Sequence, residues 1–230
     1  MARRIALTGA SRGIGAFLAC RWAGLGDEIL AIGRSAPAAG QWVRADLSRP
    51  QDCLRAAAEI GDRPLSALVH VAGIWEETAF GPGYAFADRP DAETLAILGV
   101  NLAAPITLTR ALLPALRRGG PGRVILTGST SGLPNTGTPE VAYNASKAGL
   151  GAAGQALHAG LAGEGIGVSV IHPGDVATEE VQADIAAGRY HGAGAIALSD
   201  LAAAFDFALS LSAASVAGEI TMLPLGGVRP

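Results

Sequence analysis

Short apolar runs alternate with longer helical patterns along the whole chain, and this alternation restricts the fold more than any other feature. Runs of strand character cover Arg4 to Thr8, Glu28 to Ile32, Trp42 to Ala45, Leu65 to Val71, Arg123 to Thr127, Val168 to His172 and Glu219 to Leu223. Helical patterns fall near Ile14 to Ala23, Gln51 to Ile60, Ala92 to Leu116, Val141 to Ala162 and Ser199 to Leu211. This order predicts right-handed βαβ crossovers and an α/β fold, a mostly parallel, doubly wound sheet of about seven strands flanked by helices. One connection departs from it. Only eight residues, Gly33 to Gly40, separate the second and third strands, fewer than the dozen or so of a helical crossover, so a loop is expected where a helix would normally sit. No repeat, linker or break in composition divides the chain, which reads as one domain over residues 1–230.

Composition excludes several functions. Half the residues are hydrophobic and 16% are charged, as in a sheet covered by close-packed helices. With a net charge of -3 and no basic run, a nucleic-acid partner is not expected, because phosphate affinity needs clustered Lys and Arg. The apolar run after Met1-Ala2-Arg3-Arg4 is too short for a signal peptide, and no run is expected to be long enough to span a bilayer. Cys20 and Cys53 lie in helical patterns without ligand spacing and read as small core residues in a reducing cytoplasm. His70, His158, His172 and His191 are scattered, so no metal site is expected.

The first strand ends in Thr8-Gly9-Ala10-Ser11-Arg12-Gly13-Ile14-Gly15 and runs directly into a helix. In a doubly wound sheet this turn sets backbone N–H groups and a helix N-terminus against a pyrophosphate, with glycine where a side chain would block the approach. The alternative is a purely structural glycine turn. A second signal comes from the basic residues. Among sixteen arginines there is one lysine, Lys147, four residues after Tyr143. Positions i and i+4 share a helix face, so phenol and amine point into the same space; a solvated surface pair is the alternative. A third is Pro105, four residues after Asn101. Proline has no N–H, so the Asn101 carbonyl loses its helical donor and is free to hold a water, unless the proline only kinks the helix around a satisfied side-chain amide.

In order, Thr8-Gly9-x-x-x-Gly13-x-Gly15, Asp46-Leu47, Ala72-Gly73, Asn101, Ser129, Tyr143-x-x-x-Lys147 and Pro173-Gly174 resemble the short-chain dehydrogenase/reductase family over essentially the whole chain, ending in Leu225-Gly226-Gly227. The resemblance implies a Rossmann-like fold and transfer of a hydride between a nicotinamide and a carbonyl or alcohol carbon. It implies Tyr143 as acid/base, Lys147 as the cation that lowers the phenol's pKa and binds the nicotinamide ribose, Ser129 holding the substrate oxygen with Gly132 nearby, and Asn101 in a water relay to the lysine. Asp46 with Leu47 is expected beside the adenine, and Val176 with Thr178 at the carboxamide.

After the second strand the chain has Gly33-Arg34-Ser35 where an NAD enzyme commonly carries Asp or Glu, and Arg12 adds a second guanidinium on that side. NADP(H) is therefore expected over NAD(H). The family's asparagines before Ala-Gly are replaced by His70-Val71, so the sheet there needs other support; His70 reads as a satisfied strand histidine. Residues 179–198, including Gly188-Arg189-Tyr190-His191-Gly192, sit where the family has its substrate lid, and an ordinary surface loop is the alternative. Trp75, Glu76 and Glu77 are candidates for the same cleft. Apolar helices imply, by resemblance, a homodimer or homotetramer. Two rivals remain: a nucleotide sensor without turnover, and an epimerase or dehydratase on the same fold.

Overall fold

The computed structural model describes residues 2–81, 83–190, 192 and 194–225. Seven strands form one parallel sheet: β1 (Arg4–Thr8), β2 (Glu28–Gly33), β3 (Gln41–Arg44), β4 (Ala67–His70), β5 (Gly122–Thr127), β6 (Ile166–Pro173) and β7 (Glu219–Met222). Their order is β3-β2-β1-β4-β5-β6-β7, the Rossmann-like arrangement, in which the strand order reverses beside β1 and opens a crevice at the strand C-termini. The central strands β1, β4, β5 and β6 are buried along their whole length, which is why they read as nearly continuous apolar runs, while the edge strands β3 and β7 are largely exposed. In β1, Ile5 and Leu7 face one core and Ala6 the other.

Helices α1 (Gly13–Gly24) and α7 (Leu198–Ser210) cover the first face, with Trp22 and Phe205 in edge-on contact at 6.5 Å. Helices α2 (Pro50–Ile60), α3 (Asp91–Leu98), α4 (Ala104–Arg118) and α5 (Val141–Leu161) lie on the other side, with Leu108, Leu112 and Leu116 of α4 fully buried. As expected, β2 and β3 pair in parallel without a helix between them. Two elements depart from the sequence reading. The pattern from Ala92 to Leu116 is α3 and α4 joined by a π turn over Gly99–Ala103, in which Ala104 N–H donates to Gly99 O. Residues 179–186, read as loop, form helix α6 (Glu179–Ala186), started by Thr178, whose Oγ1 accepts the Val181 N–H.

Two further expectations are corrected. Cys20 is exposed on the outer side of α1, while Cys53 is buried and burial raises its thiol to about 11. The continuous helical stretch Asp91–Arg118 is, by length and apolar composition, long enough to cross a bilayer; the same residues supply the apolar face that packs on the sheet. His191 and the Gly226-Gly227 turn lie outside the described residues.

Candidate active site

The C-terminal edge of the sheet carries a cleft of ≈ 460 Å³ between the β1–α1 turn, the ends of β2 and β3 and the segment after β4. Gly9, Ser11, Arg12, Gly13, Ile14 and Gly15 line one wall, Arg34, Asp46 and Leu47 another, and Ala72 and Gly73 the floor. The glycines are sterically required. A Cβ on Gly9, whose φ is +77°, would lie 2.8 Å from Ala72 backbone, and one on Gly15 would be driven into Gly9 O. Helix α1 begins with no side-chain cap and no acidic residue in its first turn, so its N-terminal amides lack a partner from the chain and suit an anion. Two exposed guanidiniums, Arg12 and Arg34, lie on the cleft. This donor set fits a phosphorylated dinucleotide. Asp46 accepts from Ser48 N–H at 3.0 Å and Ser48 Oγ at 2.8 Å; those bonds, with Arg34 and Arg49, hold its carboxyl below the usual range.

Gly73 joins this cleft to the buried polar group behind it. A Cβ there would lie 3.5 Å from Lys147 Nζ and 3.6 Å from Asn101 Oδ1. The fold thus brings together Asn101 from the π turn, Ser129 after β5, and Tyr143 and Lys147 from α5. Asn101 is fully buried, its Oδ1 accepting from Ile74 N–H at 2.9 Å and its Nδ2 donating to Ile74 O at 2.7 Å and Ser146 Oγ at 3.0 Å. The side chain therefore ties the post-β4 segment to α5. Pro105 has no N–H for the carbonyl four residues before it, and the chain winds wider there, around a satisfied Asn101 amide. Ser129 Oγ accepts the Ser131 N–H, and Ser129 O accepts the Gly132 N–H at 3.1 Å.

The electrostatics differ from the sequence reading. Lys147 was expected to lower the phenol's pKa, but the Tyr143 phenol is raised, by burial first and then by the charges of Asp175, Glu140 and Glu76, with Ser129 opposing. Lys147 Nζ lies 5.7 Å from the Tyr143 ring centroid and donates to Thr127 O at 2.8 Å. Its ammonium is thus directed to a backbone carbonyl, and burial lowers its own pKa to about 8.

Pro173 and Gly174 end β6, where Gly174 N–H holds Met222 O at 2.9 Å. Neither they nor Val176, buried against Ile196, line the cleft, whereas Thr178 reaches over the glycine turn, with its Cγ2 3.5 Å from where a Gly13 Cβ would be. Glu179 and Glu180 also line the cleft, a placement the sequence reading missed. It missed too the partners of His70. Thr8 Oγ1 accepts from Val71 and Ala72 N–H, both at 3.1 Å, so its own hydroxyl proton goes to His70 Nδ1 at 3.0 Å, leaving Nε2–H to donate to Val100 O at 3.3 Å. This chain replaces the missing asparagines and links the glycine turn to the π turn. Among the described residues no cluster of His, Cys, Asp and Glu has the form of a metal site.

Comparison with known proteins agrees with this geometry. Residues 3–187 match the short chain dehydrogenase family. A rhamnolipid-biosynthesis 3-oxoacyl-[acyl-carrier-protein] reductase of Pseudomonas aeruginosa is 34% identical over 193 residues, 76% of this chain and 73% of that protein. The ketoacyl reductase HetN of a Nostoc species is 30% identical over 198 residues, 79% of this chain and 66% of that protein. Among solved structures, the Pseudomonas aeruginosa RhlG/NADP active-site complex superposes with a TM-score of 0.78 at 29% identity, covering 99% of this chain and 96% of that one. A metagenomic short-chain oxidoreductase in complex with NADP gives 0.77 at 26% identity, with 97% of each chain covered. The glycine turn, the sheet order and the Tyr143–Lys147 pair are accounted for together: the chain belongs to the short-chain dehydrogenase family.

Proposed function

We propose that this chain is an NADP(H)-dependent oxidoreductase that interconverts a ketone or aldehyde and its alcohol, acting in the cytoplasm, with residues 1–230 as one cofactor-binding and catalytic domain. The observation that carries this reading is the proximity, across Gly73, of a buried Asn101–Lys147 group to a cleft with free helix amides and two guanidiniums. Arg12 and Arg34 favour a 2′-phosphate, and both NADP-bound neighbours support that choice. NAD(H) is the secondary cofactor; a Brucella ovis short-chain oxidoreductase with partially ordered NAD has a TM-score of 0.77 at 28% identity.

When bound, the reduced nicotinamide supplies the hydride. The chain supplies the proton and the geometry. Tyr143, kept protonated by burial, gives its proton to the substrate oxygen, which Ser129 holds beside the phenol. Lys147, with a pKa of about 8, exchanges a proton readily near neutrality and restores the phenol. Asn101 fixes α5 and the post-β4 segment in register, so that these groups do not drift. Of Pro173, Gly174, Val176 and Thr178, it is Thr178 that borders the cleft and closes its nicotinamide end. The relatives' names make a 3-oxoacyl thioester one of the first carbonyls to try.

NADPH and NADH consumption should be followed with a panel of aldehydes, ketones and 3-oxoacyl thioesters. NADPH-dependent turnover is expected, falling at least about 100-fold in Tyr143→Phe, and Arg34→Asp should reverse the cofactor preference. NADPH binding without turnover of any carbonyl would favour a sensor; preference for NADH in the wild type would remove the 2′-phosphate assignment.

A further inference from the structure

The segment after β4 holds features that the reductase reading does not use. Thr78 and Phe80 have φ of 64° and 60°, a left-handed backbone that is a strained outlier for a bulky side chain and persists only where the surroundings enforce it. Phe80 is enforced from several sides. Its N–H donates to Glu140 Oε1 at 2.7 Å, its ring meets the Tyr143 ring edge-on at 5.3 Å and 86°, and Trp75 packs against it at 6.1 Å. Glu140 immediately precedes α5. Glu76, from the same segment, accepts the Ala142 and Tyr143 N–H groups at 2.8 and 3.2 Å. Both carboxylates are 2% exposed, and each has a second oxygen without a hydrogen-bond partner. Two buried charges thus staple a strained aromatic segment to the helix start that carries the phenol.

The ring so held is nevertheless 53% exposed, and Trp75 is 41% exposed. Its contacts with Tyr143 and Trp75 leave the rest of the ring open to solvent. A ring fixed beside the proton donor and left open is a wall for something that arrives. The charge around it narrows the guest, because Asp175, Glu140 and Glu76 all act on the phenol and an anionic group next to the reacting carbonyl would be repelled by all of them.

We infer that Phe80, backed by Trp75, is a specificity-determining platform that seats the flat, apolar body of an uncharged aryl carbonyl substrate with its oxygen at Tyr143. This rests on the reductase reading and names the substrate class within it. The test is kcat/KM for acetophenone, butanone, benzoylformate and methyl benzoylformate. The wild type prefers acetophenone to butanone, and the ester to its anionic acid by about tenfold or more. Phe80→Ala lowers the acetophenone-to-butanone ratio about tenfold, the size of a lost aromatic contact with part of its buried area, and Phe80→Tyr restores it. An unchanged ratio, or an equal fall on both ketones, overturns the platform and leaves the ring as a support for Tyr143. Acetophenone binding, followed by quenching of tryptophan fluorescence in the presence of NADP, gives a readout independent of turnover and weakens about tenfold in Phe80→Ala. Aryl ketone binding that depends on Phe80 without any turnover sinks the reductase reading alone. Turnover with a ratio indifferent to Phe80 sinks the platform alone.

Discussion

Lys147 shows what it costs to bury a single ammonium in the interior. It is 4% exposed, and burial depresses its pKa from 10.5 to about 8. A depressed pKa means that the folded chain binds fewer protons than the unfolded one, so stability is greatest above pH 10.5 and is lost as pH falls to about 8. At neutral pH the full penalty applies, on the order of 3 kcal/mol. Lys147→Met should therefore raise Tm by about 3 °C or more while abolishing turnover; an unchanged or lower Tm would mean that the bond to Thr127 O outweighs burial. His70 follows the same sign at lower pH. Its imidazole is driven down to about 3 by burial and then by Lys147, so its contribution is complete above pH 6.5 and is lost from there down to about pH 3. Denaturant midpoints measured across that window should fall more steeply for wild type than for His70→Asn, which has no proton to take up. Parallel curves would show that the imidazole titrates in place.

At the scale of elements, the irregular turn matters more than the regular helices beside it. Pro105 follows Asn101 by four residues, the π turn covers Gly99–Ala103, and the Asn101 amide is anchored at Ile74 and Ser146. Pro105→Ala restores a helical donor, tightens the turn and pulls the amide out of register, so turnover should fall about tenfold at every pH with the fold intact. Unchanged turnover at every pH would show that the position of the Asn101 amide does not depend on the turn. That turn was legible because its cause is local, a proline at a fixed spacing. The missing β2–β3 helix was legible too, from the eight residues, Gly33 to Gly40, that separate the two apolar runs. Helix α6 carried a start signal, Thr178 followed by Glu179 and Glu180, that a loop reading of residues 179–198 passed over. The carboxylates around Tyr143 were not legible, because Glu76 meets Ala142 across 66 positions and Glu140 meets Phe80 across 60. Only the completed fold buries the phenol and brings those partners to it, and the upward shift, from burial first and then from the carboxylates, is one that the Tyr143–Lys147 spacing alone did not predict.

For the whole molecule the open question is what covers its remaining apolar surface. An apolar hollow of ≈ 350 Å³ lies where Ile106 of α4 faces Ala153, Ala156, Leu157, Gly160 and Leu161 of α5, and Ile106 is 39% exposed. Leu161 and Leu157 reach the core from this hollow, and Ile106 belongs to the stretch long and apolar enough to cross a bilayer. In that stretch 44% of the most apolar window is already buried within the fold, with Asn101 at its π turn satisfied by protein groups. A second copy of the chain offers the same small and branched residues on two helices, a self-complementary face of the kind that two-fold symmetry pairs. Assembly as a homodimer or homotetramer through this face is therefore expected. Sedimentation velocity in detergent-free buffer should give a mass of two or four chains for wild type and one for Leu157→Arg, which places a charge in the hollow. The same variant should lose the dependence of Tm on protein concentration that mass action gives an oligomer. A wild type that sediments as a single chain, or a Leu157→Arg that remains assembled, would move the interface elsewhere; partition of wild type into vesicles would instead assign the hollow to lipid.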